Sequence, residues 1–148
     1  MGTRMTSSMT MMRGNWTMAN KFGAKKVQDP HTGYWFDSKA ELTRWYELKI
    51  LERAGKVTGL KRQVSFQLIP TQRAKSTEVY KAGPQKGLPK PGAIIEKEVK
   101  YVADFTYYQD GEYIVEDVKG LKKGAAYELF KIKRKLMLDR HGIRITEV

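Results

Sequence analysis

The chain has 148 residues, no cysteine and a formal net charge of +12 at pH 7. The lack of cysteine excludes disulfides, thiolate zinc sites and cysteine nucleophiles, and no apolar run reaches the roughly 18 residues of a transmembrane helix. We expect one cytoplasmic domain over residues 21–148, without a secretory signal and without a membrane partner. The excess of lysine and arginine predicts a polyanionic partner, with nucleic acid first, while simple solubility remains the alternative.

The first part of the chain is predicted to hold a lead-in, a hairpin and a helix. Residues 1–20 have the composition of an unstructured segment, and turn signals within residues 21–36 favour a short hairpin. A helix is predicted over residues 37–54, because Ser38 is a suitable N-cap and Gly55 follows as a stop signal. Its apolar stripe at helical spacing consists of Leu42, Trp45, Tyr46, Leu48 and Leu51.

Strands are predicted on both sides of a long basic loop. Residues 57–69 are predicted to form a strand, because Val64, Phe66 and Leu68 alternate with Ser65 and Gln67, and Pro70 ends it. Residues 70–95 contain four of the five prolines and several lysines, which predicts a mobile basic loop. Strands joined by a tight turn are predicted over residues 96–108 and 113–119. A helix is predicted over residues 126–140 and a final strand over residues 143–148. The apolar side of this second helix is Leu129, Phe130, Ile132, Leu136 and Met137. The order of helix, three strands, helix and strand predicts an α/β (α+β) fold.

Two aspartates lie in apolar strand sequences, Asp104 within VADF and Asp117 within VEDVKG. If the hairpin turns between Asp110 and Gly111, opposed residues have numbers that add to 221, and Asp104 lies opposite Asp117. Opposed carboxylates repel each other, and a divalent cation between them reverses the sign of the interaction. The pair therefore predicts a site for Mg²⁺ or Mn²⁺, which prefer hard oxygen ligands. The alternative for Asp104 is an ordinary residue at a strand end.

Lys119 belongs to the same pattern, because residues two apart in a strand lie on one face. Its ammonium would orient or help to deprotonate a water molecule, or stabilise charge that develops on a phosphate. The alternative is a surface ion pair between Asp117 and Lys119 on an edge strand. Glu116 lies on the opposite face and is expected to be a solvated or partner-facing carboxylate rather than a ligand.

Glu41 is a third candidate metal ligand, because it lies on or beside the apolar stripe of the first helix. The alternative is a capping box, in which the Glu41 carboxylate binds the amide of Ser38. Local sequence does not decide between a metal ligand and a helix cap, so both interpretations stay open for this residue.

Lysines near the acidic motif, which is the pair Asp104 and Asp117, are candidates for contacts with nucleic acid. Lys131 and Lys135 are four residues apart and share one face of the second helix, which suits the phosphates of a nucleic-acid backbone. Lys122 and Lys123 follow the third strand directly and would lie near a substrate bound there. The alternative for the helix is an ordinary solvated face.

These residues resemble the signature of the PD-(D/E)XK nuclease superfamily, which has an acid on the second core strand and an acid-x-lysine on the third. The matching residues are Asp104, Asp117 and Lys119, with Ala103 in the place of the usual proline. The resemblance implies a restriction-endonuclease-like αβββαβ core, with a mixed central sheet flanked by helices. It also implies that Asp104 and Asp117 hold Mg²⁺ or Mn²⁺, with Glu41 added from the first helix as in many members.

A narrower resemblance covers residues 22–148 and points to the phage and prophage DUF1064 family of small nuclease-like proteins. It is carried by FDSKAE at 36–41, LERAGK at 51–56, FQLIP at 66–70, YVADF at 101–105 and VEDVKG at 115–120. The resemblance implies metal-dependent cleavage of DNA, including branched DNA as in related Holliday junction resolvases, and a homodimer would suit symmetric cutting of two strands. Two alternatives remain, a non-catalytic nucleic-acid-binding module on the same fold and a phage structural or assembly protein.

Overall fold

The computed structural model describes residues 17–19 and 25–148. The chain forms two compact units, Met1–Ile50 and Leu51–Val148, and the single domain expected over 21–148 stays a prediction. The expected unstructured lead-in lies outside the described residues, except for 17–19, which form a strand. In the part of the chain that is described, no helix combines the length and apolar character needed to cross a membrane.

Three short antiparallel strands form a sheet in the first unit, and a helix follows them. The strands are β1 (Thr17–Ala19), β2 (Lys25–Gln28) and β3 (Trp35–Phe36), paired in the order β1-β2-β3. The antiparallel pairing of β2 with β3 confirms the hairpin predicted within residues 21–36. Helix α1 (Lys39–Arg53) begins in this unit, near its predicted start, and ends in the second unit.

A buried aspartate shapes the turn between β2 and β3. Asp29 is fully buried, and its carboxylate accepts hydrogen bonds from the hydroxyls of Thr32 and Tyr46. The amide of His31 donates a third. Burial alone would raise the pKa of Asp29, but the hydrogen bonds outweigh it and hold the pKa below its ordinary value. The bond to Asp29 also raises the pKa of Tyr46 to about 12.

A four-stranded mixed sheet is the centre of the second unit. In chain order this unit holds β4 (Thr58–Ile69), β5 (Gln72–Arg73), β6 (Ile94–Glu96), β7 (Val99–Gln109), β8 (Glu112–Asp117), α2 (Ala125–His141) and β9 (Thr146–Glu147). The sheet has the order β4-β7-β8-β9, and all its pairs are antiparallel except β8–β9. The mixed sheet and the order of its elements confirm the α+β class and are compatible with a restriction-endonuclease-like core.

The β7–β8 hairpin has the predicted register. Its turn, Asp110–Gly111, has φ values of 50° and 80°, the two positive values that an Asp-Gly hairpin turn adopts readily. Phe105 opposes Glu116, and every pair from there to the turn has residue numbers that add to 221. The ladder ends at this pair. Asp104 and Asp117 follow at the next position, where the arithmetic places them opposite each other.

Helix α2 packs on the sheet through a narrow apolar face. The core of this unit consists of Leu68, Tyr101, Ala103, Val115, Phe130, Met137 and Ile145. Phe130 and Met137 are buried, whereas Leu129 and Ile132 are 54% and 56% exposed. The prediction that Leu129 and Ile132 line the core side was wrong, because both are turned away from the buried pair by roughly 80–160° around the helix axis. Gly142, with a φ of 65°, ends the helix as predicted.

The mobile loop expected at 70–95 contains paired strands. β5 and β6 pair antiparallel, and an isolated bridge joins Val79 to Pro89 further along the same segment. All four prolines lie outside β5 and β6, so that they interrupt neither short strand. One of them, Pro70, directly follows β4. Residues 70–96 are named the arm.

Candidate functional site

Asp117 and Lys119 form a close ion pair at the end of β8. Lys119 Nζ lies 2.7 Å from Asp117 Oδ1, and the two side chains are 23% and 6% exposed. The same ammonium lies 4.0 Å from the centre of the Phe130 ring. The Asp117 carboxylate is therefore buried, whereas the alternative interpretation expected an ion pair on the exposed surface of an edge strand. The ammonium keeps some access to solvent.

Tyr101 of β7 holds the other oxygen of this carboxylate. Its hydroxyl donates to Asp117 Oδ2 at 2.7 Å, in a buried position. Burial is the main reason why the pKa of Tyr101 is raised, followed by the charge and hydrogen bond of Asp117. The charges of Asp104 and Glu147 raise this pKa further. The charges of three carboxylates, Asp104, Asp117 and Glu147, thus act on the pKa of one phenol.

Asp104 connects β7 to the chain that leaves β8. Its Oδ2 accepts a hydrogen bond of 2.8 Å from the Val118 amide, just beyond the last paired position of the hairpin. On the other side of β7, Gln63 lies between two paired positions of β4 and has a φ of 53°. A non-glycine residue in that region is strained, and such strain tends to occur at functional sites. Asp104 therefore occupies a distorted part of the sheet.

Glu147 gathers a second set of side chains that the sequence did not indicate. It pairs in register with Asp117 across the parallel strands β8 and β9. Arg134 of α2 donates to its Oε1 at 2.7 Å, and Tyr127 donates to its Oε2 at 3.3 Å. Lys122 Nζ lies 3.3 Å from Oε2. The cluster brings two cations next to the position of Asp117 in the sheet.

Opposing effects set the pKa values in this cluster. Burial alone would raise the pKa of Glu147, but hydrogen bonds from Arg134 and Lys122 and the charge of Lys122 outweigh it, and the pKa is lowered. The hydrogen bond to Glu147 is the main reason why the pKa of Arg134 is raised. The group is thus a stable ionised network. Tyr127 and Arg134 are seven residues apart on α2, a helical spacing that is the one sequence signal for their meeting.

Glu41 caps the first helix, in the first unit. Its amide donates to Ser38 Oγ at 3.1 Å, and its carboxylate accepts from the Asp37 amide at 3.0 Å. This is the predicted capping arrangement, except that the carboxylate binds the amide one residue before Ser38. The side chain is also buried, at 3% exposure. The role of Glu41 as a third metal ligand stays a prediction.

Glu116 is buried, and the expectation of a solvated carboxylate was wrong. It is 0% exposed, and its Oε2 accepts a hydrogen bond of 2.7 Å from the Tyr107 hydroxyl. Strand β8 is buried on both faces near its end, since Val115, Glu116 and Asp117 are all buried. Alternation along a strand predicted the opposite face for Glu116 but not what covers that face.

The four predicted lysines differ in their surroundings. Lys131 Nζ lies 2.8 Å from Glu128 and 5.7 Å from the centre of the Tyr127 ring, and Lys122 is held by Glu147. Lys123 and Lys135 are exposed and form no ion pair within residues 25–148. Lys122 is therefore held by Glu147 and Lys131 by an ion pair along α2, whereas Lys123 and Lys135 present free ammonium groups to solvent.

Asp104 and Asp117 have the chemistry of magnesium ligands. Mg²⁺ in proteins is commonly bound through one or two carboxylates and several water molecules, and this pair supplies two carboxylates just beyond the last paired position of the β7–β8 hairpin. Within residues 17–19 and 25–148, no three acidic or histidine side chains are grouped as a ready set of ligands. The donor set therefore fits a hydrated hard cation, with Lys119 as the ammonium that neutralises Asp117.

Comparisons with known proteins identify a family. Residues 19–146 match the model of the family described as protein of unknown function (DUF1064). Neither a curated protein nor a solved structure matches the chain. The family match covers most of the length, including the strands that carry Asp104 and Asp117. The chain belongs to the DUF1064 family.

Proposed function

We propose that the protein is a Mg²⁺- or Mn²⁺-dependent nuclease of the PD-(D/E)XK type that hydrolyses phosphodiester bonds in DNA. The observation that carries the proposal is that Asp104, in the middle of β7, accepts a hydrogen bond from the Val118 amide and so lies beside Asp117 and Lys119 at the end of β8. Two carboxylates and a cation at a strand end supply what phosphodiester hydrolysis needs, namely metal ligands and a group that manages the charge of the phosphate.

In this proposal Asp104 and Asp117 hold the metal ion, with Glu41 as the expected third ligand. The bound ion supplies charge for the phosphate and acidity for a water molecule. Tyr101 keeps Asp117 in one orientation through its hydroxyl. Lys119, whose ammonium is 2.7 Å from Asp117 and partly exposed, turns toward the phosphate and stabilises the charge that develops there. Lys122 and Arg134 add positive charge nearby.

The expected substrate is DNA, whether linear, supercoiled or branched. A net charge of +12 favours a polyanion, and neutralised phosphates release counterions on binding. Lys123 and Lys135, exposed and without ion pairs in the described part of the chain, are the predicted backbone contacts, together with Lys122 and Lys131. A phage or prophage role and a homodimer that cuts both strands belong to the same proposal, and sedimentation of the purified protein tests the dimer.

The experiment measures cutting of supercoiled plasmid, linear duplex and a four-way junction with Mg²⁺, with Mn²⁺ and with a chelator. Asp104→Asn and Asp117→Asn keep the shape of each side chain and remove its charge, so cutting should fall at least ~100-fold. Asp110→Asn is the matched control, because Asp110 is exposed in the hairpin turn and asparagine accepts its φ of 50°. Metal-dependent cutting that survives in Asp117→Asn would overturn the proposal.

A second candidate function is DNA binding without cleavage. Both oxygens of Asp117 are already occupied by protein donors, Tyr101 and Lys119, as in a purely structural cluster. Under this alternative, a gel-shift series shows binding that weakens steeply with salt, and no metal ion produces cutting in any substrate. Asp117→Asn would then leave DNA affinity unchanged and lower only the stability of the fold.

A further inference from the structure

The arm concentrates positive charge on exposed chain. It carries five lysine or arginine residues and two acids, Glu78 and Glu96. Lys75, Lys81 and Lys86 are exposed, and none of the three forms an ion pair within the described residues. By contrast, Lys90 lies 3.7 Å from Glu78. Three ammonium groups are therefore available to an external anion.

Backbone hydrogen bonds fix the segment that carries these lysines. At the base, the Ala74 amide donates to the Ala93 carbonyl at 2.9 Å, beside the β5–β6 pair. Toward the tip, the Gly87 amide donates to Tyr80 at 2.9 Å and the Lys90 amide to Glu78 at 2.8 Å. A support that is already ordered loses less conformational entropy on binding than a free loop would. The exposed lysines of the arm are thus carried on an ordered backbone.

The spacing of the lysines suits an extended polyanion. Lys81 lies six positions after Lys75, and an extended chain of that length spans at most about 20 Å. Duplex DNA carries one negative charge per roughly 1.7 Å of its axis, so a span of this size faces many phosphates. Lysine binds phosphate as a point charge and needs no base contact.

We propose that the arm is a sequence-independent binding surface for duplex DNA, which contacts backbone phosphates through Lys75, Lys81 and Lys86. This inference rests on the proposed function, because the duplex that the arm binds is the DNA that the nuclease would cut. It adds a contact surface outside the acidic motif and its neighbouring lysines. The exposed apolar side chains of the arm, Val79, Leu88, Ile94 and Ile95, would suit an acidic protein partner instead, and the experiment separates the two.

The test compares a triple variant, Lys75→Ala, Lys81→Ala and Lys86→Ala, with a charge-matched control, Lys39→Ala, Lys56→Ala and Lys61→Ala. The control lysines are also exposed and form no ion pair in the described part of the chain. Affinity for a short duplex is measured over a range of KCl with a chelator present, so that nothing is cut. The slope of log K against log salt should fall by about 2 to 3 in the arm variant and remain near wild type in the control.

Replacing the same three lysines by arginine should restore the wild-type slope, which shows that charge rather than folding is responsible. A wild-type slope in the alanine variant overturns the arm proposal, while cutting by the wild-type protein would leave the proposed function standing. A reduced slope in a protein that cuts nothing keeps the arm and rejects the nuclease. If the wild-type protein binds no duplex at all, both are rejected and the apolar side chains make a protein the expected partner.

Discussion

Lys119 and Asp117 form an ion pair whose two ends differ in access to solvent. Nζ lies 2.7 Å from Oδ1, while the aspartate side chain is 6% exposed and the lysine side chain 23%. Taking both charges out of water is costly unless hydrogen bonds compensate, and Tyr101 supplies one to the aspartate. The partly exposed ammonium can leave its carboxylate for a phosphate without opening the core. This difference gives Lys119 a reactive role in the proposed nuclease.

Replacing Lys119 by methionine should abolish cutting while leaving duplex binding nearly intact. The side chain keeps its length and its contact with Phe130 but loses the charge that would stabilise the transition state. We expect kcat to fall at least ~100-fold, since removal of one such group commonly costs that much. Single-turnover cleavage with saturating Mg²⁺ measures the effect, and gel shifts in a chelator measure binding.

Lys119→Arg tests whether the positive charge of Lys119 is sufficient for its role in cutting. It retains the positive charge and should recover part of the lost rate, whereas Lys56→Met, at an exposed position, should change neither rate nor affinity. Equal rates for the methionine variant and the wild type would show that Lys119 is only the structural partner of Asp117.

Replacing Tyr101 by phenylalanine should destabilise the fold. The change removes the hydroxyl that donates to Asp117 Oδ2 at 2.7 Å and leaves a buried carboxylate oxygen without that donor. Loss of one partner of a buried polar group costs about 1–3 kcal/mol. Urea unfolding at neutral pH measures the free energy. Tyr108→Phe is the control, because Tyr108 is half exposed, and a change above ~0.5 kcal/mol there would point to a general effect of losing a hydroxyl.

The features that were predictable from sequence are those set by neighbours along the chain. Asp110-Gly111 selects a two-residue turn, and that turn sets the register of the β7–β8 ladder, which ends one position before Asp104 and Asp117. Ser38 likewise predicts the start of α1 and its hydrogen bond to the Glu41 amide. In each case the determining residues lie within a few positions of the feature, so tertiary structure adds little.

The features that were missed depend on chain segments far apart. Glu147 meets Asp117 only because β9 returns parallel to β8 after a helix, and no local pattern specifies that register. Glu116 alternates as expected, yet the Tyr107 side chain and the packing around it bury it. Leu129 and Ile132 fit a helical stripe but lie outside the face that touches the sheet. Burial is a property of the whole fold, and one sequence contains only part of that information.

Removal of the Glu147 charge should reduce the amount of folding stability that the protein loses on acidification. The pKa of Glu147 is lowered from 4.5, so ionised Glu147 favours the folded state. This contribution is complete above the unfolded pKa and is lost as pH falls through the lower, folded pKa. We expect Glu147→Gln to be less stable than wild type at neutral pH and to lose less stability on acidification below about pH 4.5.

Urea titrations between about pH 3 and pH 7 provide the measurement for Glu147→Gln. Glu112→Gln is the comparison, because Glu112 is exposed at the hairpin turn and its loss should leave the curve parallel to wild type. If the Glu147 variant also runs parallel to wild type, the network of Arg134, Lys122 and Tyr127 does not depend on the charge of Glu147, and its contribution to the site would have to be revised.

Replacing Gly92 by alanine should loosen the arm without unfolding the protein. An added Cβ at this position would collide with the carbonyl oxygen of Ala74, which belongs to the backbone and has to move. Overpacking of this kind costs about 1–3 kcal/mol, which corresponds to opening that is ~5- to 150-fold more frequent. Hydrogen exchange of the Ala74 amide, bonded to Ala93, measures the opening. At Gly120 an added Cβ meets nothing within 4 Å, so Gly120→Ala should leave exchange in the arm unchanged.

Duplex affinity should fall together with protection from exchange in Gly92→Ala, because the ordered backbone holds Lys75, Lys81 and Lys86 in place. Unchanged affinity in a loosened arm would mean that their charge acts without that support.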